Sequence, residues 1–145
     1  MKGAERAAAE SDGRLRKRMH ASGGELVVVG GDDDDDSDLK TAEWYDTSAG
    51  QWRALPDMSV DRWGCAAVCV EGNVYVLGGF DADSTIKTAE MYDSSAGQWR
   101  ALPDMSVARR SSAAVCIEGS VYVMGGYDGG SALKSAEMYD TSAGQ

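Results

Sequence analysis

The segment from Lys40 to Val60, KTAEWYDTSAGQWRALPDMSV, recurs 47 residues later as KTAEMYDSSAGQWRALPDMSV, with Trp44 replaced by Met91 and Thr47 by Ser94. A third copy, KSAEMYDTSAGQ, opens at Lys134 and runs to Gln145, one residue short of the position held by Trp52 and Trp99 in the first two. A fixed period in this range restricts a chain to stacked or radially arranged copies of one supersecondary unit. The other landmarks keep step. Glu43, Glu90 and Glu137 stand 47 apart, and double glycines fall at Gly30-Gly31, Gly78-Gly79 and Gly125-Gly126.

Within one period the residues fall into four short strand-like pieces separated by turns, which predicts an all-β chain of propeller blades. Ala66 to Val70 is small and apolar, Val74 to Leu77 is apolar throughout, and Ala89 to Tyr92 and Gln98 to Leu102 carry large aromatics among polar residues. A strand nearest the axis of a ring is crowded by its counterparts, so Ala66, Ala67, Ala113 and Ala114 suit the innermost position. The second strand, VYVLGG or VYVMGG, is apolar without alternation, as expected when neighbours cover both of its faces. Its Gly-Gly ending lets the backbone turn and another segment approach closely. Glu71-Gly72-Asn73 and Glu118-Gly119-Ser120 read as hairpin turns. On the outer strands Tyr45, Tyr92 and Tyr139, with Trp52 and Trp99, fill the gap that widens between blades, and their OH and NH groups then need partners.

Charge separates the chain into two parts. Residues 1–20 carry six Lys or Arg against three acids, and residues 21–145 carry eight against 21, which together give the net −10. The body lacks the clustered cations that phosphate binding requires, so nucleic acid is excluded as its partner. No apolar run reaches the roughly 18 residues that span a bilayer, and no apolar signal segment opens the chain, so the expectation is a cytoplasmic protein without membrane insertion. The cluster Arg14, Arg16, Lys17, Arg18 keeps nuclear import open. Residues 1–24 lack any sustained period and are expected to form a disordered basic linker, followed by units at about 25–60, 61–107 and 108–145. Cys65, Cys69 and Cys116 form no Cys-x-x-Cys pair and read as small buried residues, Cys69 and Cys116 being equivalent in the repeat.

Gly-Gly, about a dozen residues, Glu-x-Tyr-Asp, Trp, Leu-Pro-x-Met and then Arg, recurring in register over residues 25–145, resembles the kelch repeat. The resemblance implies four-stranded β-propeller blades, with a binding face built from the loops joining second to third strands and each blade to the next. It also implies a ring longer than this chain, since propellers hold roughly 4 to 8 blades, so further blades of the same protein are expected to close it. The basic segment before the first double glycine is similar to the linker of kelch-like adaptors. There the innermost strand of the first blade comes from the C-terminal end of the chain, and RLRKRMHA lacks the small apolar character of such a strand.

These loops hold the candidate partner contacts. Asp32, Asp33, Asp34, Asp35, Asp36 and Asp38 follow the first double glycine; Phe80, Asp81 and Asp83 follow the second; Tyr127 and Asp128 follow the third. Arg62, Trp63, Arg109 and Arg110 lie between blades. Arg62 and Arg109 match the recurrent arginine of the family and also suit bonding between blades, whereas Arg110 stands where the previous unit has Trp63. The aspartate run reads as a solvated loop, a docking surface for a basic segment, or a metal site, the last lacking the alternation of a calcium loop. His20 is the only histidine, so the repeats offer no Ser-His-Asp triad and no His-rich metal centre, and neither a cofactor nor catalysis is expected. Gly125-Gly126-Tyr127-Asp128-Gly129-Gly130 is not followed by the Lys-Ser/Thr of a phosphate loop. The leading expectation is a non-catalytic protein-interaction module, the substrate-recognition propeller of a kelch-like ubiquitin-ligase adaptor. The alternatives are an actin- or cytoskeleton-binding protein and a fragment of a carbohydrate-active enzyme.

Overall fold

The computed structural model describes residues 18–22, 25–32 and 39–145. Among them there are eleven strands and no helix. Strands β1 (Arg18–Ser22), β2 (Glu25–Val29), β3 (Ala42–Asp46) and β4 (Gln51–Leu55) form the first sheet, and β5 (Ala66–Val70), β6 (Asn73–Leu77), β7 (Ala89–Asp93) and β8 (Gln98–Leu102) form the second. The third contains β9 (Ala113–Ile117), β10 (Ser120–Met124) and β11 (Ala136–Asp140). Every pairing is antiparallel between chain neighbours, the meander of a propeller blade.

Local chemistry explains the tight hairpins. Glu71 and Gly72 both take positive φ, 50° and 80°, as do Glu118 and Gly119 at 50° and 79°. Two successive left-handed residues make the two-residue turn whose twist matches that of the flanking strands, so the glutamates accept a conformation that glycine alone adopts without strain. The outer hairpins turn differently. Asp46, Asp93 and Asp140 each accept a bond from the hydroxyl of the serine two residues on, at 2.6, 2.6 and 2.7 Å, and also bind the following backbone N–H groups. The serine hydroxyl first, and the backbone amides with it, hold these three carboxyls below their ordinary range.

Apolar cores lie between the sheets. Val27, Val29, Ala42 and Met58 of the first unit meet Cys65, Ala67, Cys69, Val74 and Val76 of the second, with Trp44, Leu55, Tyr92 and Trp99 closing the outer end. On its other side the second sheet offers Ala66, Val68, Val70, Tyr75, Leu77 and Ala89 to Val121 and Val123. Alternate residues of β5 and β6 thus serve opposite neighbours, which is why these strands are apolar throughout. The double glycines permit the close approach. A Cβ on Gly78 would lie 2.1 Å from the carbonyl oxygen of Arg109, and one on Gly30 equally near that of Arg62.

The segment expected to be a linker, residues 1–24, contains a strand. Arg18–Ser22 pairs with β2 along its whole length, from Arg18 opposite Val29 to Ser22 opposite Glu25. The first blade therefore takes its innermost strand from this chain's own basic segment. The pairing is made by backbone groups, for which side-chain size is secondary, so the absence of small apolar residues was a poor guide. Residues 1–17, including Arg14, Arg16 and Lys17, lie outside the described residues.

Candidate functional site

Arg62 and Arg109 are the largest fully buried side chains, 1% and 0% exposed. Each is tied by its backbone to one unit and by its guanidinium to the next. Arg62 N donates to Leu39 O and Arg62 O accepts from Gly31 N, both bonds 2.9 Å. Its side chain donates to Gly78 O at 2.8 Å, Thr88 O at 3.0 Å and the Glu90 carboxylate at 2.9 Å. Arg109 repeats the arrangement on Gly125 O, Ser135 O and Glu137, at 2.9, 2.9 and 3.1 Å. The loop before each arginine joins in: Ser59 donates its N–H and hydroxyl to Glu90 at 2.9 and 2.7 Å, and Ser106 N–H donates to Glu137 at 2.6 Å. Burial pushes the Glu137 carboxyl up, but the Ser106 and Arg109 bonds outweigh it and leave the group below its ordinary value.

Both arginines therefore leave the set of partner contacts, their guanidinium groups being spent between units. The sequence already held the signal. Arg precedes Gly by 16 residues and Glu by 28 in both units, a spacing without meaning until the strand register brings the three together.

The other loop residues do converge. Trp63 and Phe80 exchange backbone bonds of 2.9 and 2.8 Å, Arg110 and Tyr127 exchange bonds of 3.0 and 2.9 Å, and Ser111 N donates to Gly64 O at 2.7 Å to join the two pairs. This brings Trp63, Phe80 and Tyr127 around Arg110, whose guanidinium carbon lies 5.6, 5.4 and 5.0 Å from their ring centroids. All four side chains are half-buried. Contact with three π faces fixes the cation in place.

Two acidic loops continue from this cluster, Asp81 following Phe80 and Asp128 following Tyr127. Asp81 and Asp128 each cap their own loop, accepting from the N–H groups of Asp83 and Ser84 and of Gly130 and Ser131 respectively. The Ser131 and Gly130 amides hold the Asp128 carboxyl below its ordinary range. A Cβ on Gly129 would stand 3.6 Å from Thr85 Oγ1, so these two acidic loops are adjacent. Asp81, Asp83 and Asp128 make no ion pair among the described residues. Asp32 is half-buried with one carboxylate oxygen enclosed, and Asp33, Asp34, Asp35, Asp36 and Asp38 lie outside the described residues. Among the described residues no group of three or more His, Cys, Asp or Glu is arranged to hold a metal ion.

No curated protein matches the chain. The pattern of the Kelch motif matches three times, at residues 13–59, 62–106 and 108–145, and these limits agree with the three sheets. With its double glycines at the blade turns and its arginines bonded between units, the chain belongs to the kelch-motif family.

Proposed function

We propose that this chain is a non-catalytic module that binds another protein through the loop face around Arg110, and that the partner presents a basic segment. Kelch repeats generally mediate protein-protein interactions, which supports the coarse reading. The observation that carries the finer one is that Asp81, Asp83 and Asp128, which make no ion pair among the described residues, lie in the loops that follow Phe80 and Tyr127, two of the three half-buried aromatic rings. Carboxylates without cationic partners attract a basic chain from a distance, and aromatic faces then supply contact area at low entropic cost. The substrate-recognition role in a ubiquitin-ligase adaptor is the subclass we favour, on the basic segment that precedes the first double glycine. We place the protein in the cytoplasm, with nuclear entry through Arg14, Arg16, Lys17 and Arg18 as the alternative.

The test uses a lysine- and arginine-rich peptide and the chain with Asp81, Asp83 and Asp128 replaced by Ser. Association at low salt is expected to slow by about tenfold, with a difference that fades at physiological ionic strength, where the screening length is about 8 Å. Replacing Phe80 by Ala should speed dissociation at every salt concentration. An association rate indifferent to the three aspartates would reject this face as the reader of a basic segment.

A further inference from the structure

Each sheet sets one residue of its second strand against one of its third at the same place: Val27 opposite Trp44, Tyr75 opposite Met91 and Tyr122 opposite Met138. The second and third sheets carry the aromatic ring on the second strand and the flexible thioether on the third. The first sheet differs at both positions, with a small aliphatic residue on β2 and an indole on β3. That difference changes what fills the junction. Tyr75 is 6% exposed and projects into the core between the second and third sheets, where its ring packs on that of Tyr139, 6.1 Å between centroids. Val27, its counterpart, projects into the core between the first and second sheets and is several atoms shorter.

Beside Val27, among the described residues, lies a cavity of about 230 Å³, walled by Val27, Trp44, Leu55, Val74 and Tyr92. Tyr92 stands 47 residues before Tyr139, so the cavity lies against the counterpart of the ring on which Tyr75 packs. Trp44 forms a wall of this space without taking the place of the tyrosine ring. Val27 and Val74, 1% and 3% exposed, make the floor, and the exposed Arg53 and Ser94 stand at the rim. Arg53 binds Asp46 through one guanidinium nitrogen at 3.0 Å and keeps further N–H donors, and Ser94 donates its hydroxyl to Asn73 at 3.2 Å and keeps its acceptor capacity. An apolar cavity of about 150 Å³ takes up benzene, so this one has room for a ring with a substituent.

We infer that this cavity is a binding site for a small para-alkylphenol, the chemical class of the tyrosine side chain that fills the same place one junction further on. The alkyl group lies on Val27 and Val74, the ring between Trp44 and Tyr92, and the hydroxyl at the rim, where it accepts from Arg53 and donates to Ser94 Oγ. Removal of the ring from water drives binding, and the two aromatic neighbours add contacts of the kind that Tyr75 makes with Tyr139. A phenol suits the site because its one polar group stays at the rim while the rest is buried. The cavity shares no residue with the loop face around Arg110, and the inference stands apart from the reading of that face.

The experiment is titration of the 145-residue chain with p-cresol, followed by amide chemical shifts and by intermolecular NOEs from the ring and methyl protons. Saturable shifts are expected in β2, β3, β4 and β6, with NOEs to the methyl groups of Val27 and Val74. Val27→Tyr gives the first sheet the residue of the other two and should weaken binding by about tenfold or more, since the ligand then has to enter a filled core. Toluene, which lacks the hydroxyl, should bind about fivefold more weakly than p-cresol. Shifts that grow without saturating, NOEs outside the cavity, or undiminished binding by a folded Val27→Tyr chain would overturn the proposal. Toluene binding as tightly as p-cresol would overturn the assignment to a phenol. The NOEs are read on the unsubstituted chain, so they decide the matter even where the variant fails to fold.

Discussion

Strands β5 and β9 are nearly the same peptide, AAVCV and AAVCI, yet all five residues of the first are buried while those of the second run from half-buried to exposed. The contrast continues along the sheets. Leu77 is 3% exposed and its equivalent Met124 39%; Val70 is 6% exposed and Ile117 55%. A Cβ on Gly78 would strike the next unit's backbone at 2.1 Å, whereas one on Gly125 would meet nothing closer than 3.7 Å. Among the described residues the second sheet is covered on both faces and the third on one. Burial in a repeat of this kind is a property of the junction rather than of the residue, so one side chain has two energetic values in a single molecule.

The buried ion pairs give the largest expected difference. Arg62→Ala strands Glu90, whose side chain is 2% exposed, and is expected to cost about 3–5 kcal/mol in denaturant unfolding. Arg109→Ala strands Glu137, which is 22% exposed and can take up water, so its cost should be clearly smaller. Equal losses would mean that both junctions are buried alike, and the comparison would fail.

Next in size is the core. Leu77→Ala should cost roughly 2–5 kcal/mol, and Met124→Ala should stay within about 0.5 kcal/mol. Should the two midpoints fall together, the outer face of the third sheet must be covered in solution.

The smallest effect is on pH. The Glu137 carboxyl titrates below its ordinary value of 4.5, so it adds stability that is complete above that value and is lost as pH falls through the folded-state pKa. Asp46, Asp93 and Asp140 have the same sign. The unfolding midpoint should therefore hold steady from neutral pH down to about 5 and decline below it. Glu137→Gln should make that decline shallower; a decline just as steep would place the acid sensitivity outside the second junction.

The strands were legible because their signals are local. Ala66–Val70 and Gln98–Leu102 stand where the residue pattern put them, and β6 and β7 differ by one residue at one end. Strand β1 was not legible, because what makes Arg18–Ser22 a strand is the free edge of β2, which no reading of RMHAS contains. The loop face was half legible. Trp63, Phe80, Arg110 and Tyr127 were candidates individually, but Trp63 lies before an innermost strand and Phe80 and Tyr127 after second strands, so their meeting depends on two units standing side by side. The inward turn of Arg62 and Arg109 was undecided for the same reason: a loop arginine is drawn equally to solvent and to a carboxylate, and only the fold says which is nearer.

Arg109, locked between two units, is covalently followed by Arg110, the centre of the loop face. The proposed binding face and the joint between units thus share one peptide bond. A partner that pulls on Arg110 pulls on that joint, and a twist of one unit against the next re-aims the cation among its three rings. Ligation and the mechanical stiffness of the arc are on this account two readings of one degree of freedom, so occupancy of the face should register as a change in how easily the units flex apart.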